Sequence, residues 1–268
     1  MKIALMDSGI GLLAAAAAVR RLRPDADLVL SSDPDGMPWG PRTPEDLTRR
    51  ALTVAEAAAE CGADALIVAC NTATVHALPA LRARLEPALP VVGTVPAIKP
   101  AAAGGGPFAI WATPATTGSA YQRGLIADFA SGAEVTEVPC PGLADAIEYA
   151  DEDAVDRAIA AAAARTPDGV RAVVLGCTHY ELVAERVRTA LGRTGDEGGF
   201  QDPPALILHG SAGAVAAQVL RRLGASPAPD APPVGSVTVL HGGRPATLAE
   251  RALAYPEGRL LAALSQAR

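Results

Sequence analysis

Short apolar runs alternate with longer stretches of helical periodicity along the first part of this chain. The apolar runs predict strands over residues 2–6, 27–31, 63–69 and 91–94. The stretches between them predict helices over residues 12–22, 44–61 and 71–85. Thr43 is the expected N-cap of the second helix, and Pro79 is expected to kink the third or to end its first half. Such alternation is typical of a mostly parallel sheet with helices on both faces.

The same pattern starts again after residues 96–107, which are rich in glycine and proline. It predicts strands over 108–112, 134–138, 170–176 and 206–208, and helices over 117–129, 153–165 and 179–191. Two such runs predict an α/β protein of two lobes. We expect the second lobe to contain residues 96–207 and the first to contain residues 1–95 and 208–268, because the tail after the Pro/Ala-rich linker 226–233 is expected to fold back on it. The polar, glycine-rich residues 192–204 are expected to form a mobile surface loop.

Composition and charge exclude several classes of function. The formal net charge is -6, only 3% of the residues are aromatic, and no stretch combines basic with aromatic residues. We therefore expect no nucleic-acid partner. Asp7-Ser8-Gly9 divides the first apolar run, which favours a strand, a turn and a helix over a signal peptide. Because no long uncharged apolar stretch predicts a membrane span, we expect a cytoplasmic protein that binds no membrane and keeps its cysteines reduced.

The most informative feature is a strand–cysteine–helix turn that occurs twice. Residues 65–69 lead into Cys70-Asn71-Thr72, residues 172–176 lead into Cys177-Thr178-His179, and a predicted helix follows each time. Each cysteine is thus predicted to lie at the carboxyl end of a parallel strand, the edge where open α/β sheets bind ligands. Backbone N–H groups at a helix start stabilise a thiolate. Together with the neighbouring amide and hydroxyl side chains, they are also suited to holding a carboxylate.

Other roles for these residues stay open at this point. Each cysteine could be a small buried hydrophobic residue that closes its strand. Cys70, Cys177 and His179 could bind zinc, but no close second pair of cysteines or histidines provides the usual spacing, so we expect no metal. A Cys177–His179 nucleophile is a further alternative, although side chains this close at a helix start are expected to point in different directions, which argues against direct pairing. The sequence has no P-loop, GxGxxG or GxSxG motif.

An ordered set of motifs in this chain resembles that of the glutamate racemase family. The motifs are Asp7-Ser8-Gly9-Ile10-Gly11, Pro38-Trp39-Gly40, Cys70-Asn71-Thr72-Ala73, Ala112-Thr113-Pro114-Ala115-Thr116 and Gly176-Cys177-Thr178-His179. The resemblance runs from the first strand to about residue 220. His179 separates this pattern from that of aspartate racemases, which resemble it but have glutamate after the second Cys-Thr.

The resemblance implies two α/β lobes with the active site in the cleft between them. It implies that Cys70 removes a proton from the D-isomer and Cys177 from the L-isomer, that Asp7 holds the amino group and orients a base, and that His179 assists Cys177. The substrate-binding residues implied are Asp7, Ser8, Trp39, Gly40, Asn71, Thr72, Thr116, Thr178 and His179. Members of the family convert L-glutamate to D-glutamate for peptidoglycan synthesis and commonly form homodimers.

Two thiols suit this chemistry on independent grounds. Racemisation at Cα needs a base on one face and an acid on the other, and the two groups exchange roles with direction. A pyridoxal enzyme would need a lysine for its Schiff base. Lys2 and Lys99 are the only lysines of the chain, and neither has a recognisable context. We therefore expect no cofactor.

The rim of the predicted site departs from the family pattern. Leu12 replaces a family glycine, Trp39 replaces a tyrosine, and residues 32–36 read Ser-Asp-Pro-Asp-Gly where the family has Gly-Asp-Thr-Ala. The nearest rival function is therefore a related racemase or isomerase acting on aspartate, a substituted glutamate or maleate. A non-catalytic regulator that binds an amino acid is a rival of another class, but a binder needs neither thiol. The other cysteines and histidines considered are expected to be structural or exposed, namely Cys61, Cys140, His76 and His209.

Overall fold

The computed structural model describes residues 1–192 and 206–265. Of the surface loop predicted over residues 192–204, only Gly192 lies within the described residues. The chain divides into two compact units, the first formed by Met1–Val95 with Ser211–Arg268 and the second by Pro96–Gly210. No helix of the described residues is both long enough and apolar enough to span a membrane.

Strands and helices alternate through most of the described chain. The strands are β1 (Lys2–Asp7), β2 (Asp27–Ser32), β3 (Ala65–Val68), β4 (Val91–Gly93), β5 (Phe108–Ala112), β6 (Val135–Pro139), β7 (Ala172–Leu175), β8 (Ile207–His209), β9 (Val237–His241) and β10 (Arg244–Ala246). The α-helices are α1 (Leu12–Leu22), α2 (Pro44–Glu60), α3 (Asn71–Leu85), α4 (Ile98–Ala103), α5 (Ala120–Phe129), α6 (Leu143–Glu148), α7 (Glu152–Ala163), α8 (Ala184–Ala190), α9 (Ala212–Arg222) and α10 (Pro256–Ser265).

The first unit is built on a six-stranded sheet of order β10-β9-β2-β1-β3-β4. All neighbouring strands pair in parallel except β9 and β10, which form an antiparallel hairpin. β1 lies in the middle, and its Met6 pairs with Ser31 of β2 and Val68 of β3. The carboxyl ends of these three strands therefore meet at one edge of the sheet.

The second unit is built on a four-stranded parallel sheet of order β6-β5-β7-β8. Here Trp111 of β5 pairs with Leu175 of β7, so the segments that follow these two strands leave the sheet side by side. A cluster of buried residues packs around Phe108, Ile110 and Val174. Together the two sheets confirm the predicted α/β class with mostly parallel sheets.

The predicted start of α2 agrees with the structure, where a capping residue marks it in the sequence. Thr43 is the N-cap of α2, as predicted, and its hydroxyl accepts a hydrogen bond from the Asp46 N–H at 3.3 Å. The prediction that Pro79 ends the first half of its helix was wrong, because α3 runs through it to Leu85. The alternative prediction, a kink at Pro79, stays a prediction. Pro79 lies on the exposed face, where water can satisfy the carbonyl that loses its intrahelical donor.

Four other segments differ from the predictions made from periodicity. The segment predicted as one helix over 179–191 is a 3-10 helix, Thr178–Val183, followed by α8. Most residues at the start of this 3-10 helix are buried, so the apolar ones do not alternate with polar ones at a helical period. The joint 96–107 contains the short α4, and α6 and α9 were not predicted. α6 is too short for its periodicity to be recognised.

A buried arginine joins the C-terminal segment of the first unit to the N-terminal part of the same unit. The Arg20 guanidinium, only 3% exposed, donates hydrogen bonds to the carbonyl oxygens of Pro24 at 2.7 Å, Ala26 at 2.9 Å and Ser236 at 3.1 Å. Gly235 passes so close that a Cβ there would lie 2.0 Å from the Ala26 oxygen, which excludes any larger residue. These bonds hold the segment beside β2, with which β9 pairs in parallel.

We predict that Arg20→Met lowers the free energy of unfolding by about 3 kcal/mol, because several buried carbonyl groups lose a charged donor. The matched control is Arg21→Met, whose side chain is 60% exposed and should change stability by less than about 0.5 kcal/mol. Urea denaturation followed by circular dichroism measures both values. Equal losses in the two variants would contradict a role for Arg20 in attaching the segment.

Candidate active site

Cys70 lies at the turn between β3 and α3 in the first unit. It is the N-cap residue of α3, with extended backbone angles (φ -146, ψ 119), and its side chain is 6% exposed. Its carbonyl oxygen accepts from the Thr74 N–H at 2.9 Å, which starts the helix. The thiol therefore lies beside the first N–H groups of a long helix, an environment that favours a thiolate. Asn71, the first helical residue, is also buried.

Asp7 and Ser8 lie at the same sheet edge as Cys70, because β1 pairs with β3. Asp7 is fully buried, and the Ser8 hydroxyl donates to its Oδ1 at 3.4 Å. The Ser8 carbonyl accepts from the Asp33 N–H at 3.2 Å, which joins this turn to the segment after β2. A buried carboxylate at this edge can attract an ammonium group.

Two threonines that the sequence analysis missed hold the two elements on either side of Cys70 by hydrogen bonds. The Thr94 hydroxyl donates to the Val68 carbonyl at 2.7 Å, and the Thr94 N–H donates to the Thr74 hydroxyl at 3.0 Å. Both threonines are buried. They fix the end of β3 and the first turn of α3, between which Cys70 lies. The only signal in the sequence was their position: Thr94 directly follows β4, and Thr74 lies in the first turn of α3.

Cys177 lies at the corresponding turn of the second unit. It is the N-cap residue of the 3-10 helix Thr178–Val183, with extended angles (φ -137, ψ 136), and is 9% exposed. Its Sγ lies 3.8 Å from His179 Nδ1, a hydrogen-bond distance for sulfur. The expectation that these two side chains point apart was wrong. The 3-10 winding explains the difference, because three residues per turn place residues two apart differently from an α-helix.

Glu148 extends this contact into a relay. Its Oε2 lies 3.0 Å from His179 Nε2, and both side chains are buried, Glu148 completely. A thiol can pass its proton to an imidazole whose other nitrogen is held by a carboxylate, and the carboxylate stabilises the imidazolium that forms. The sequence analysis missed Glu148 because it lies far from His179 along the chain. The available signal was an acidic residue at the end of a short apolar helix, α6.

The remaining candidate residues of the second unit lie at the same edge as Cys177. Thr116 is buried in the turn after β5, and its hydroxyl lies 3.2 Å from that of Thr113. Thr178 is buried at the first position of the 3-10 helix. Since β5 and β7 are neighbours, the structure brings Thr116, Cys177 and Thr178 to one end of their sheet. Hydroxyl groups and helix N–H groups at such an edge can bind a carboxylate.

The segment after β2 carries Trp39 and Gly40 in the first unit. The Trp39 ring is 2% exposed, packs in the core cluster that includes Leu47 and Cys70, and donates its Nε1–H to Asp33 Oδ2 at 3.0 Å. Gly40 is half-buried. The indole therefore anchors its loop from within the unit. Its contact with a substrate stays a prediction.

Cys61, Cys140 and His76 lie in other environments. Burial, followed by the nearby Cys177 thiol, raises the pKa of Cys140 to about 12, and this residue is 1% exposed. The Cys140 carbonyl accepts from the Tyr180 hydroxyl at 3.4 Å. The half-buried Cys61 donates to a carbonyl within α2, and His76 is exposed. Among the described residues no group of three histidine, cysteine or acidic side chains could hold a metal ion.

The chain is similar to known proteins over most of its length. The family model for Asp/Glu/Hydantoin racemase matches residues 11–197. A glutamate racemase of Roseiflexus sp. (strain RS-1) is 39% identical over 195 residues, which cover 71% of this chain and 71% of the relative. A glutamate racemase of Pseudomonas putida KT2440 is 37% identical over 236 residues, covering 84% and 82%. Among solved structures, Escherichia coli glutamate racemase in complex with L-glutamate and the activator UDP-MurNAc-ala has a TM-score of 0.75 at 27% identity, covering 94% of this chain and 91% of that one.

We predict that iodoacetamide at pH 8 modifies Cys177 much faster than Cys140. His179 can accept the Cys177 proton, whereas a pKa of about 12 leaves only about one Cys140 thiol in ten thousand ionised at that pH. Peptide mapping by mass spectrometry gives both rates. Glu148→Gln should slow the modification of Cys177 about tenfold and leave that of Cys70 unchanged. Equal rates at Cys140 and Cys177 would show that the relay does not activate this thiol.

Proposed function

This chain belongs to the Asp/Glu/hydantoin racemase family, and we propose that it interconverts L- and D-glutamate without a cofactor, using the thiols of Cys70 and Cys177 as its two bases. The observation that carries the proposal is the matched placement of the two cysteines. Each is an N-cap residue that follows a buried parallel strand, and each has side chains beside it that can bind a carboxylate or transfer a proton.

The two-base reaction conserves protons on the enzyme. In the direction from L to D, the Cys177 thiolate takes the Cα proton and becomes a thiol, and the Cys70 thiol protonates the opposite face and becomes a thiolate. The reverse reaction restores the first state. The direction assigned to each cysteine rests on the family resemblance. Because thiol protons exchange with water, the product carries a solvent hydrogen at Cα.

His179 and Glu148 are the proposed partners of Cys177 in this cycle. His179 Nδ1 holds the thiol proton when Cys177 must act as a base, and Glu148 keeps the opposite ring nitrogen oriented. The low exposure of this relay strengthens its electrostatic coupling, because little water screens it. In the first unit, Asp7 and Ser8 are proposed to hold the substrate ammonium, and Asn71 and Thr72 the α-carboxylate. Thr116 and Thr178 are proposed to bind a carboxylate in the second unit.

The lysines of the chain support a route without pyridoxal phosphate. Lys2 Nζ donates to the Cys61 carbonyl at 2.8 Å, and Lys99 lies over the Phe129 ring at 6.0 Å. Lys2 opens β1 at the amino end of the strand, the edge opposite to Cys70. Since the chain has no other lysine, no lysine accompanies either cysteine turn in sequence.

Glutamate is the substrate that the relatives favour. Proteins named glutamate racemase share 37–39% identity with this chain over most of its length. The exchange of tyrosine for Trp39 is the main departure, but the indole is buried and its N–H is bound to Asp33. The ring therefore has no free polar group to offer a ligand, which favours an unchanged preference over the rival substrates aspartate, substituted glutamates and maleate.

The proposal extends to the setting of the enzyme. We propose that D-glutamate made by this chain serves peptidoglycan synthesis, that the enzyme acts in the cytoplasm, and that it is a homodimer. These points rest on the family resemblance.

We predict that Cys70→Ser and Cys177→Ser each lower racemisation of glutamate by about 10²–10⁴-fold, because a serine hydroxyl is a far weaker base than a thiolate. Polarimetry measures racemisation, and NMR in D₂O measures exchange at Cα. Cys70→Ser should retain exchange of L-glutamate, and Cys177→Ser that of D-glutamate. Cys61→Ser is the control and should behave as wild type. Near-wild-type racemisation in either active-site variant would contradict the two-base assignment.

We predict that Trp39→Tyr leaves the relative kcat/KM values for L-glutamate, L-aspartate and 4-substituted L-glutamates unchanged. The substitution loses packing and the bond to Asp33, so any fall in activity should be common to all substrates. Initial rates across this panel give the comparison. A shift in the order of substrates would mean that the ring sets specificity.

A further inference from the structure

Residues 33–42 follow β2 without regular structure except for a 3-10 turn at Pro34–Gly36. This segment, which we call the Trp39 loop, carries Trp39 and Gly40, two residues that the family resemblance implies for substrate binding. Such a loop lacks the repeated backbone hydrogen bonds of a helix or a sheet. Side-chain contacts are therefore needed to hold it in one conformation. The carboxylate of Asp33, whose side chain is 7% exposed, lies at its start.

A single oxygen of Asp33 joins the loop to helix α2. Asp33 Oδ2 accepts the Trp39 indole N–H at 3.0 Å and also lies 3.1 Å from Arg50 Nη1. The Trp39 ring alone provides a neutral donor, which cannot balance a nearly buried negative charge. Arg50 provides the positive charge, so the position of the loop depends on this residue of α2.

The same arginine is itself held in place. Arg50 Nε lies 3.3 Å from Asp46 Oδ2, and that oxygen also accepts Arg42 Nη1 at 2.6 Å. Arg42 Nε in turn donates to the Gly36 carbonyl at 2.6 Å. The contacts therefore run from Asp33 at the start of the loop through Arg50 and Asp46 of α2. They continue through Arg42 at the end of the loop to the Gly36 carbonyl in its 3-10 turn.

Gly36 shows how closely the loop backbone approaches this ion pair. A Cβ at position 36 would lie 1.9 Å from Asp33 Oδ2 and 2.4 Å from Arg50 Nη1. The backbone can pass there only because the residue is glycine. The loop is thus wrapped around the charges and not merely adjacent to them.

We propose that Arg50 is a positioning residue that holds the Trp39 loop in its substrate-binding shape through the carboxylate of Asp33. The proposal rests on the proposed function, since it takes the Trp39 loop as part of the glutamate site. The contacts of Arg50 are with Asp33 at the start of the loop and Asp46 of α2. Through the Asp33 N–H, which donates to the Ser8 carbonyl, the same anchor also borders the proposed ammonium site.

The test compares Arg50→Met with Arg49→Met, a matched control one residue away whose side chain is 68% exposed. Arg50→Met keeps the aliphatic stem but leaves the Asp33 charge unbalanced, so KM for glutamate should rise about tenfold while kcat changes less than about twofold. Arg49→Met should change neither value. Arg50→Lys restores one charge without the fork that reaches both aspartates, and should lie between wild type and Arg50→Met.

A second readout follows the loop without any substrate. Trp39 and Trp111 are the only tryptophans, so protein labelled with 5-fluorotryptophan gives two ¹⁹F resonances, assigned by Trp111→Phe. In Arg50→Met the Trp39 resonance should shift or broaden, whereas that of Trp111, buried in the other unit and bound to Thr166, should stay unchanged and show that the protein is folded. Arg50→Lys provides the same comparison if Arg50→Met fails to fold.

The outcomes separate this proposal from the proposed function. Wild-type protein without activity on glutamate would contradict the proposed function alone, because the ¹⁹F comparison still reports on the loop. An unchanged Trp39 resonance in Arg50→Met would overturn the proposal, whatever the activity. A changed resonance with an unchanged KM would overturn it as well, since Arg50 would then order the loop without affecting the site.

Discussion

Parallel pairing brings the carboxyl ends of neighbouring strands to one edge of a sheet, and the helices that follow begin at that same edge. In the first unit this rule places Asp7 of β1 beside the turn that carries Cys70, because Met6 and Val68 share a register position. In the second unit it places the turn after β5 beside Cys177, because Trp111 pairs with Leu175. The candidate residues that lie at the ends of these strands depend on these registers. A shift of one residue would turn each of these side chains to the opposite face of its sheet.

Two cysteines of the second unit differ in their chemistry although both are buried. Cys140 and Cys177 belong to the same unit, and both are almost fully buried. Burial raises the pKa of Cys140 to about 12, whereas Cys177 has an imidazole within hydrogen-bond distance that can accept its proton. The difference comes from one added partner and not from exposure. Desolvation alone disfavours the thiolate and makes a thiol inert. When a proton acceptor lies beside the thiol, the same low-water environment strengthens the hydrogen bond between the two groups.

The sequence was sufficient to predict those parts of the site that depend on neighbours along the chain. An apolar run ending in Cys70 or Cys177 and followed by a helical pattern predicts both the end of a strand and the start of a helix, and the structure has both at each cysteine. Glu148 lies 31 residues from its partner His179, so no local pattern connects them. Arg50 lies 17 residues from Asp33, and its position on a helix looks like that of any solvated charge. Such contacts depend on how elements pack, which periodicity does not determine.

The substitution of tryptophan for the family's tyrosine becomes understandable through the same ion pair. A tryptophan ring has one N–H donor and no acceptor, so it must find an acceptor when it is buried. Asp33 provides that acceptor, but a carboxylate that is nearly excluded from water needs a positive charge of its own. Arg50 supplies the charge, and Gly36 leaves room for both partners. The three features therefore depend on one another: Asp33 Oδ2 accepts the buried indole N–H of Trp39 and lies beside Arg50, and Gly36 lets the backbone pass this contact. The tryptophan is in this way accommodated inside the first unit, without altering the strand ends that carry the proposed bases.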